Sequence, residues 1–537
     1  MFKILLSLLI IFPILMGFGE IFQKLFGRIW SGLSAKLFSG MFLLAIIWQV
    51  LAFFVPLNIW IESISILIGV LSFLYFRSYK DFLNYRKEEI VKFSIPSLII
   101  IFAGTYYPFI IDHFGYYVPS IHWLREFGLT KGLANIELIY AQMSVWHIFQ
   151  AGLSNFSDVF LRINVIFLVV FLLYILEKKA WSMLFVLPVF LFFIQSPNSD
   201  LPAIALSLVI LNEVMSGNKN VKLLFAFSAF IFTIKPTIVW VLLFVTIYFF
   251  KKENFKYAGL GIVVLGIYIF KNILVFGYPF FPIQIGDLKL YWMPHREVLK
   301  ESAELAIMKA YDLKFSISEI EKFTVWDYVY NWFTINSYKK YIHFAFVLVM
   351  LLFVVFTFIK KDRLTTALFA SIVIKSFLVL MFSAQYRFFM GVFFVFFLIN
   401  FKSTIKEKIS YIGFSLEIFL IIISLSFPKL LQNNFISFKS GYYMQGFTQK
   451  QIYRPASFAS FKYSEFKIGN LKFYIPHHHL AYDTPHPSIA PYSVKKYYEA
   501  GIFPQKISKN IKDGFVWKKL SPEEKEKLKK IIFKIDQ

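Results

Sequence analysis

Residues 77–92 read RSYKDFLNYRKEEIVK, residues 93–110 read FSIPSLIIIFAGTYYPFI, and residues 111–152 read IDHFGYYVPSIHWLREFGLTKGLANIELIYAQMSVWHIFQAG. A basic connection, an apolar run of membrane-spanning length and a polar, aromatic, His-rich stretch follow one another, and this order decides the topology. By the positive-inside rule the basic connection faces the cytoplasm. The span at 94–110 then delivers Asp112 to the outer face. Beyond it come Asp112, His113, His122, Arg125, Glu126, Glu137 and His147, with Gly115, Gly128, Gly132 and Gly152 available for backbone turns. The rest of the chain is written mostly in apolar runs, so this stretch is expected to be the catalytic loop of a membrane-embedded enzyme.

Working outward, apolar runs near 2–19, 39–55 and 58–76 precede this unit, and ten more follow, from 158–176 to 409–427. The chain is 58% hydrophobic and 20% aromatic, with a mean hydropathy of +0.63, which excludes an ordinary soluble domain. Continuous apolar segments rather than alternating ones exclude an outer-membrane barrel. The expectation is an all-α polytopic membrane protein of about 12–14 transmembrane helices. Alternation puts every short basic loop (178–179, 219–222, 251–256, 360–363 and 402–408) on the cytoplasmic side, so the net charge of +24 reflects membrane orientation and not a nucleic-acid partner. Without cysteine there is no disulfide, thiolate metal site or Cys nucleophile. Residues 2–19 lack a small-x-small cleavage site and read as a retained helix.

Two units result. Residues 1–427 form the transmembrane domain, with external loops 111–157 and 277–340; Trp326 to Phe333 in the second loop reads as a helix lying along the membrane surface. Residues 428–537 form a small α+β external domain. There FKIGNLKFYIP and YDTPHPSIAPY read as strand and turn, and SPEEKEKLKKIIFKI reads as a helix with Ser521 as N-cap, Pro522 at N1 and Glu524 at N3.

Ionisable groups gather at the outer ends of spans: Asp112, Asp158, Arg162, Asp200, Lys235, Lys271 and Arg387. Charges at that depth are costly and usually face a cavity or a partner. If the helices converge, the groups line one outward cleft suited to transfer from a lipid-phosphate donor, whose tail stays in the bilayer. Lys235 or Arg387 would stabilise charge on the leaving phosphate, and Asp112 would act as general base. Structural roles compete with each assignment: Asp112 as a helix cap, Asp200 as a helix N-terminus, Arg162 and Lys271 as snorkelling side chains. His113, His122 and His147 lack tight ligand spacing. Reaction without metal and a divalent ion between Asp112 and Asp200 both remain open, with oxygen ligands favouring Mg²⁺ or Mn²⁺.

DHFGYYVPSIHWLREFGLTKGLANIELIYAQMSVWHIFQAGLSNFSDVFLRIN at 112–164, SPNSDLP at 196–202, IKPT at 234–237, FKNILVFGYPFFP at 270–282 and SAQYRFFMG at 383–391 occur in this order. The set, over about 100–440, resembles a group of bacterial multi-pass proteins related to GT-C-type glycosyltransferases. That resemblance implies catalytic acids at Asp112 and Asp200, a polyprenyl-phosphate-linked sugar donor, and a glycan or lipid-linked acceptor. Donor contacts would come from Lys235 and Arg387, with Lys271, Arg162, His122, His147 and Tyr116 as further substrate-binding candidates. The paired acidic dipeptide of that superfamily is absent, because His113 follows Asp112. The expected function is sugar transfer at the outer face of a bacterial inner membrane, in envelope polysaccharide or glycoconjugate synthesis. The rivals are a lipid-linked polysaccharide polymerase or ligase and a transporter of lipid-linked sugars; a transporter should show inverted repeats, and none is visible.

Overall fold

The computed structural model describes residues 1–249, 251–335, 338–434 and 443–536. The chain is predominantly helical. Among the described residues, six helices are long and apolar enough to cross a membrane: Phe2–Phe26, Leu33–Ala52, Gly259–Phe276, Lys339–Lys360, Arg363–Phe382 and Glu407–Ser426. A seventh forms if Ile59–Tyr75 and Ser78–Asn84, bent by 58°, make one broken span.

This is fewer than the 12–14 expected, and the reason is physical. Several apolar runs fold as shorter helices, among them Ile163–Lys178 and Asp200–Met215 with 16 residues each and Val221–Ile234 with 14. At about 1.5 Å per residue such helices fall short of a hydrocarbon core about 30 Å thick. The run at 181–195 tightens near Pro188 from the α-helix Trp181–Val186 to the 3-10 helix Leu187–Phe192 and stops short of spanning length. The short helices are also the most enclosed. Every residue from Ile163 to Ile175 and from Leu201 to Val214 is buried, as all-round apolar helices at the centre of a bundle must be.

The first three helices approach backbone to backbone. A Cβ at Gly17 would lie 1.9 Å from the Gly69 carbonyl oxygen, and one at Gly40 2.0 Å from that of Leu15. Small residues allow this approach where apolar side chains gain little by leaving lipid.

The basic connections meet at one end. The Glu177 carboxylate accepts from the Leu33 N–H at 2.6 Å and from the Tyr85 hydroxyl, Asn218 Nδ2 reaches the Ile29 carbonyl, Lys92 pairs with Glu407, and Lys402 reaches the Asn212 carbonyl. At the opposite end the polar stretch 111–157 packs as short buried helices, including Val118–Glu126 and Val145–Ala151.

The tail folds as two antiparallel hairpins, Tyr463–Ile468 with Leu471–Pro476 and Ile502–Lys506 with Phe515–Lys519, plus the helices Pro491–Glu499 and Pro522–Asp536. The last helix has its expected reciprocal cap, the Ser521 N–H to Glu524 Oε2 at 3.0 Å and the Glu524 N–H to Ser521 Oγ at 3.2 Å. The segment 482–490 runs through a turn at 482–483 and an isolated bridge, Ser488 beside Tyr474, before the helix Pro491–Glu499 begins. The tail docks on the polar stretch through Tyr482 N–H to the Phe114 carbonyl at 2.8 Å and Phe515 N–H to the Lys131 carbonyl at 3.0 Å.

Candidate functional site

Four charged side chains from four distant segments converge as two ion pairs. Asp112 stands at the head of a single π-turn, His113–Tyr117, a form frequent at functional sites. Its carboxylate caps no helix. Instead Oδ2 accepts from Arg387 Nη1 at 3.2 Å. Arg387 belongs to the tight turn Tyr386–Phe389 that joins two apolar helices.

Asp200 opens the helix Asp200–Met215 and feels the N-terminal end of its dipole. Asn198 Oδ1 accepts the Asp200 N–H at 2.6 Å, and the Asp200 carboxylate meets Lys235 Nζ at 3.0 Å. Lys235 is turned out of its helix because Pro236 forces the preceding residue into an extended conformation, φ −149°.

Phe388 bridges the pairs, its ring centroid 5.1 Å from the Arg387 guanidinium carbon and 5.8 Å from Lys235 Nζ. Arg387 also lies within electrostatic reach of both carboxylates. The four side chains remain partly open, Arg387 at 40% and Asp112 at 23% exposure, with Asp200 and Lys235 deeper at 18% and 15%.

Tyr116, Tyr117 and His147 line the cluster. The Tyr116 and Tyr117 rings are 4.5 Å apart, and Tyr117 lies 4.9 Å from the His147 ring. Burial and the neighbouring Asp112 raise the Tyr116 phenol well above its ordinary value. His147 Nδ1 accepts the Ser144 N–H at 3.0 Å, which puts the ring proton on Nε2. Burial, then the charges of Lys235 and Lys271, push His147 down to about 3, so it is a neutral imidazole at physiological pH. Lys271 stands behind it, donating to the Met143 carbonyl at 3.0 Å.

Three candidates lie elsewhere, and the first, Asp158, is buried and accepts from Gln150 Nε2 at 3.1 Å. Arg162 is committed to backbone, donating to the carbonyls of Gly104 at 2.9 Å, Phe160 at 2.8 Å and Ala456 at 2.7 Å. It ties the bundle to the tail. His122 pairs through Nδ1 with Asp483 at 3.2 Å, and that contact helps hold the Asp483 carboxyl below its usual range.

Several further residues shape the site without a motif to mark them. Asn164 positions the Asp200 turn, its Nδ2 lying 2.8 Å from the carbonyls of both Ser196 and Asn198. Lys375 donates to the Phe388 carbonyl from inside an apolar helix. As a lone charge in ASIVIKSFLVL it carried a readable signal. Lys309, on the helix Arg296–Ala310, comes within electrostatic reach of Asp112 and Arg387, and nothing in its surface-like helix marked it.

A family described as a domain of unknown function (DUF8201) matches residues 1–394. The chain belongs to that family. The DUF8201 region contains both ion pairs, whereas the last apolar helix and the tail lie beyond it. No curated protein and no solved structure matches the chain.

Asp112 and Asp200 are the two side chains that would offer oxygen ligands to a divalent cation in the DUF8201 site. Each carboxylate is already matched by a protein cation, and among the described residues no group of three or more His, Cys, Asp or Glu could hold a metal.

One buried acid fastens the tail to the DUF8201 loop. Glu137 accepts from the Ser493 hydroxyl at 2.5 Å and from the Ala490 N–H at 3.2 Å, with Lys496 nearby and paired in turn with Glu301. Burial raises Glu137 to about 7, against 4.5 for the free side chain. The proton is thus bound more tightly in the folded state, so the associated stability is complete below pH about 4.5 and is lost as pH rises through about 7. Between pH 5 and 8 the protein is expected to lose about 2–3 kcal/mol of stability from this group. Glu137→Gln should flatten that slope in denaturant melts followed at both pH values; an unchanged slope would assign the pH dependence to another group.

Proposed function

We propose that the chain is a membrane-embedded glycosyltransferase of GT-C type, moving a sugar from a polyprenyl-phosphate donor to a hydroxyl acceptor at the outer face of a bacterial inner membrane. The observation that carries this reading is the convergence of Asp112–Arg387 and Asp200–Lys235 around Phe388, at the end of the bundle opposite the basic connections. The cluster is charged, partly open, and walled by helices apolar enough to face lipid, which suits a substrate with an apolar tail and an anionic head.

The reaction divides among these side chains. The donor phosphate draws Arg387 away from Asp112, and this frees the carboxylate at the moment the donor is seated. The acceptor hydroxyl oxygen forms its bond to the anomeric carbon while the bond from that carbon to the phosphate oxygen breaks with its electron pair. The proton passes to Asp112. Arg387, with Lys235 behind it, stabilises the charge that collects on the departing phosphate. Asp200 holds Lys235 in place.

The test is sugar release from labelled polyprenyl-monophosphate and polyprenyl-diphosphate sugars by the purified chain in vesicles. Transfer from the monophosphate to an added acceptor is the expected result. Transfer from the diphosphate alone would favour a polymerase or ligase, and donor movement across the vesicle without bond cleavage would favour a transporter; either overturns the proposal.

A further inference from the structure

We propose that the helix Val325–Phe333 lies in the headgroup boundary of the bilayer and, through Trp332, holds the turn that carries Arg387. The helix has two unlike faces. Trp326, Val329, Tyr330 and Phe333 follow the i, i+3, i+4, i+7 spacing of a single stripe. Trp326 is 80% exposed and Tyr330 67%. On the inner face Tyr328 donates to the Ile320 carbonyl at 3.1 Å, and Trp332 is buried.

The outer stripe does not end with the helix. Phe333 packs at 4.8 Å on Phe344, which belongs to the membrane-length helix Lys339–Lys360. That helix is the least enclosed of the six, and Phe344, Leu348, Leu351 and Val355 on it are exposed. An apolar face continuous with a lipid-facing flank has lipid as its occupant. Trp and Tyr at the join are the residues that favour the boundary between headgroups and acyl chains.

Trp332 turns this anchor into a positioning device. Its ring stacks on His343 at 3.8 Å, its carbonyl bonds His343 Nδ1 at 2.8 Å, and its Nε1 donates to the Ala384 carbonyl at 2.9 Å. Ala384 lies three residues before Arg387. Ser383 Oγ adds a second tie to the same turn, donating to the Ala306 carbonyl at 3.1 Å. The height of Arg387 relative to the bilayer is thereby set by a helix that rests on it. This inference does not rest on the transferase reading, because its measurements need no donor.

The chain has no cysteine, so one introduced cysteine takes a spin label uniquely. Trp326→Cys, Tyr330→Cys and, as an aqueous control on the exposed tail hairpin, Lys467→Cys would be labelled in the full chain in phosphatidylethanolamine and phosphatidylglycerol vesicles. At 326 and 330 dissolved oxygen should relax the label more than a water-soluble nickel chelate does; the order should reverse at 467. Nickel access at 326 equal to that at 467 overturns the proposal, and shielding from both reagents overturns it in favour of a protein occupant. For the coupling, a label at Gln385→Cys should gain mobility in a Trp332→Phe background, which keeps the ring and removes the N–H donor, while the spectrum at 467 stays unchanged. An unchanged spectrum at 385 removes the positioning role.

Discussion

Asp112→Asn is expected to lower sugar transfer by about 10²- to 10⁴-fold while donor binding persists. The amide keeps the shape of the side chain and its place at the head of the π-turn. It loses the proton acceptor, and it also loses the negative charge that holds Arg387 at 3.2 Å. The guanidinium is then free for the donor phosphate before the donor arrives, so KM for the donor should stay level or fall as kcat collapses. Arg387→Ala should divide the other way. It removes a cation that meets phosphate both on binding and in the transition state, so KM rises along with a kcat loss of about 10²- to 10³-fold. Combining the two changes should cost little more than the worse of them, because the residues act as one unit. Transfer by Asp112→Asn within about twofold of the unaltered chain would exclude the residue as base. The carboxylate would then serve only to hold Arg387, and the reading of the cluster would shift to phosphate binding alone.

The sequence exposed the members of this cluster more readily than their partnerships. Asp112, Asp200, Lys235 and Arg387 were legible because each is an ionisable group at the end of an apolar run, where burial without a partner is costly. Their pairing was not, since Asp112 meets Arg387 across 275 positions of chain. Arg162 satisfied the same criterion, yet its guanidinium serves backbone carbonyls brought together only by the fold. Hydropathy located the apolar helices well and overstated how many are of spanning length, because it registers the apolar character of 181–195 without showing that the helix ends at Phe192. In the tail the helix start at 521–524 is legible because local chemistry alone decides a reciprocal cap.

Glu62 shows how far one buried acceptor can support the site from outside it, and Glu62→Ala is expected to cost about 3–5 kcal/mol of stability. Its side chain is fully buried near the start of the helix Ile59–Tyr75. Oε2 accepts the N–H groups of Asn155 at 2.8 Å and Phe156 at 3.0 Å, and Oε1 accepts that of Ser157 at 2.7 Å. Alanine would strand three backbone donors in a region with few substitutes, and each carries a desolvation penalty of about 1–3 kcal/mol, less whatever water can enter the space left behind. Glu62→Gln retains one acceptor oxygen and should lose about 1–3 kcal/mol. Asn155 adds weight to the joint, since its Nδ2 reaches the Leu57 carbonyl at 3.0 Å and its Oδ1 accepts from Arg125 at 3.0 Å. The segment it fixes follows the helix that bears His147, so loosening it should lower the fraction of molecules in which Tyr117, His147 and the ion pairs are assembled. Thermal melts of the detergent-solubilised chain should rank the unaltered protein above Glu62→Gln and Glu62→Ala last. An alanine variant that melts with the unaltered chain would mean that water replaces the carboxyl group, and the joint would then be a hydrated turn with no hold on the site.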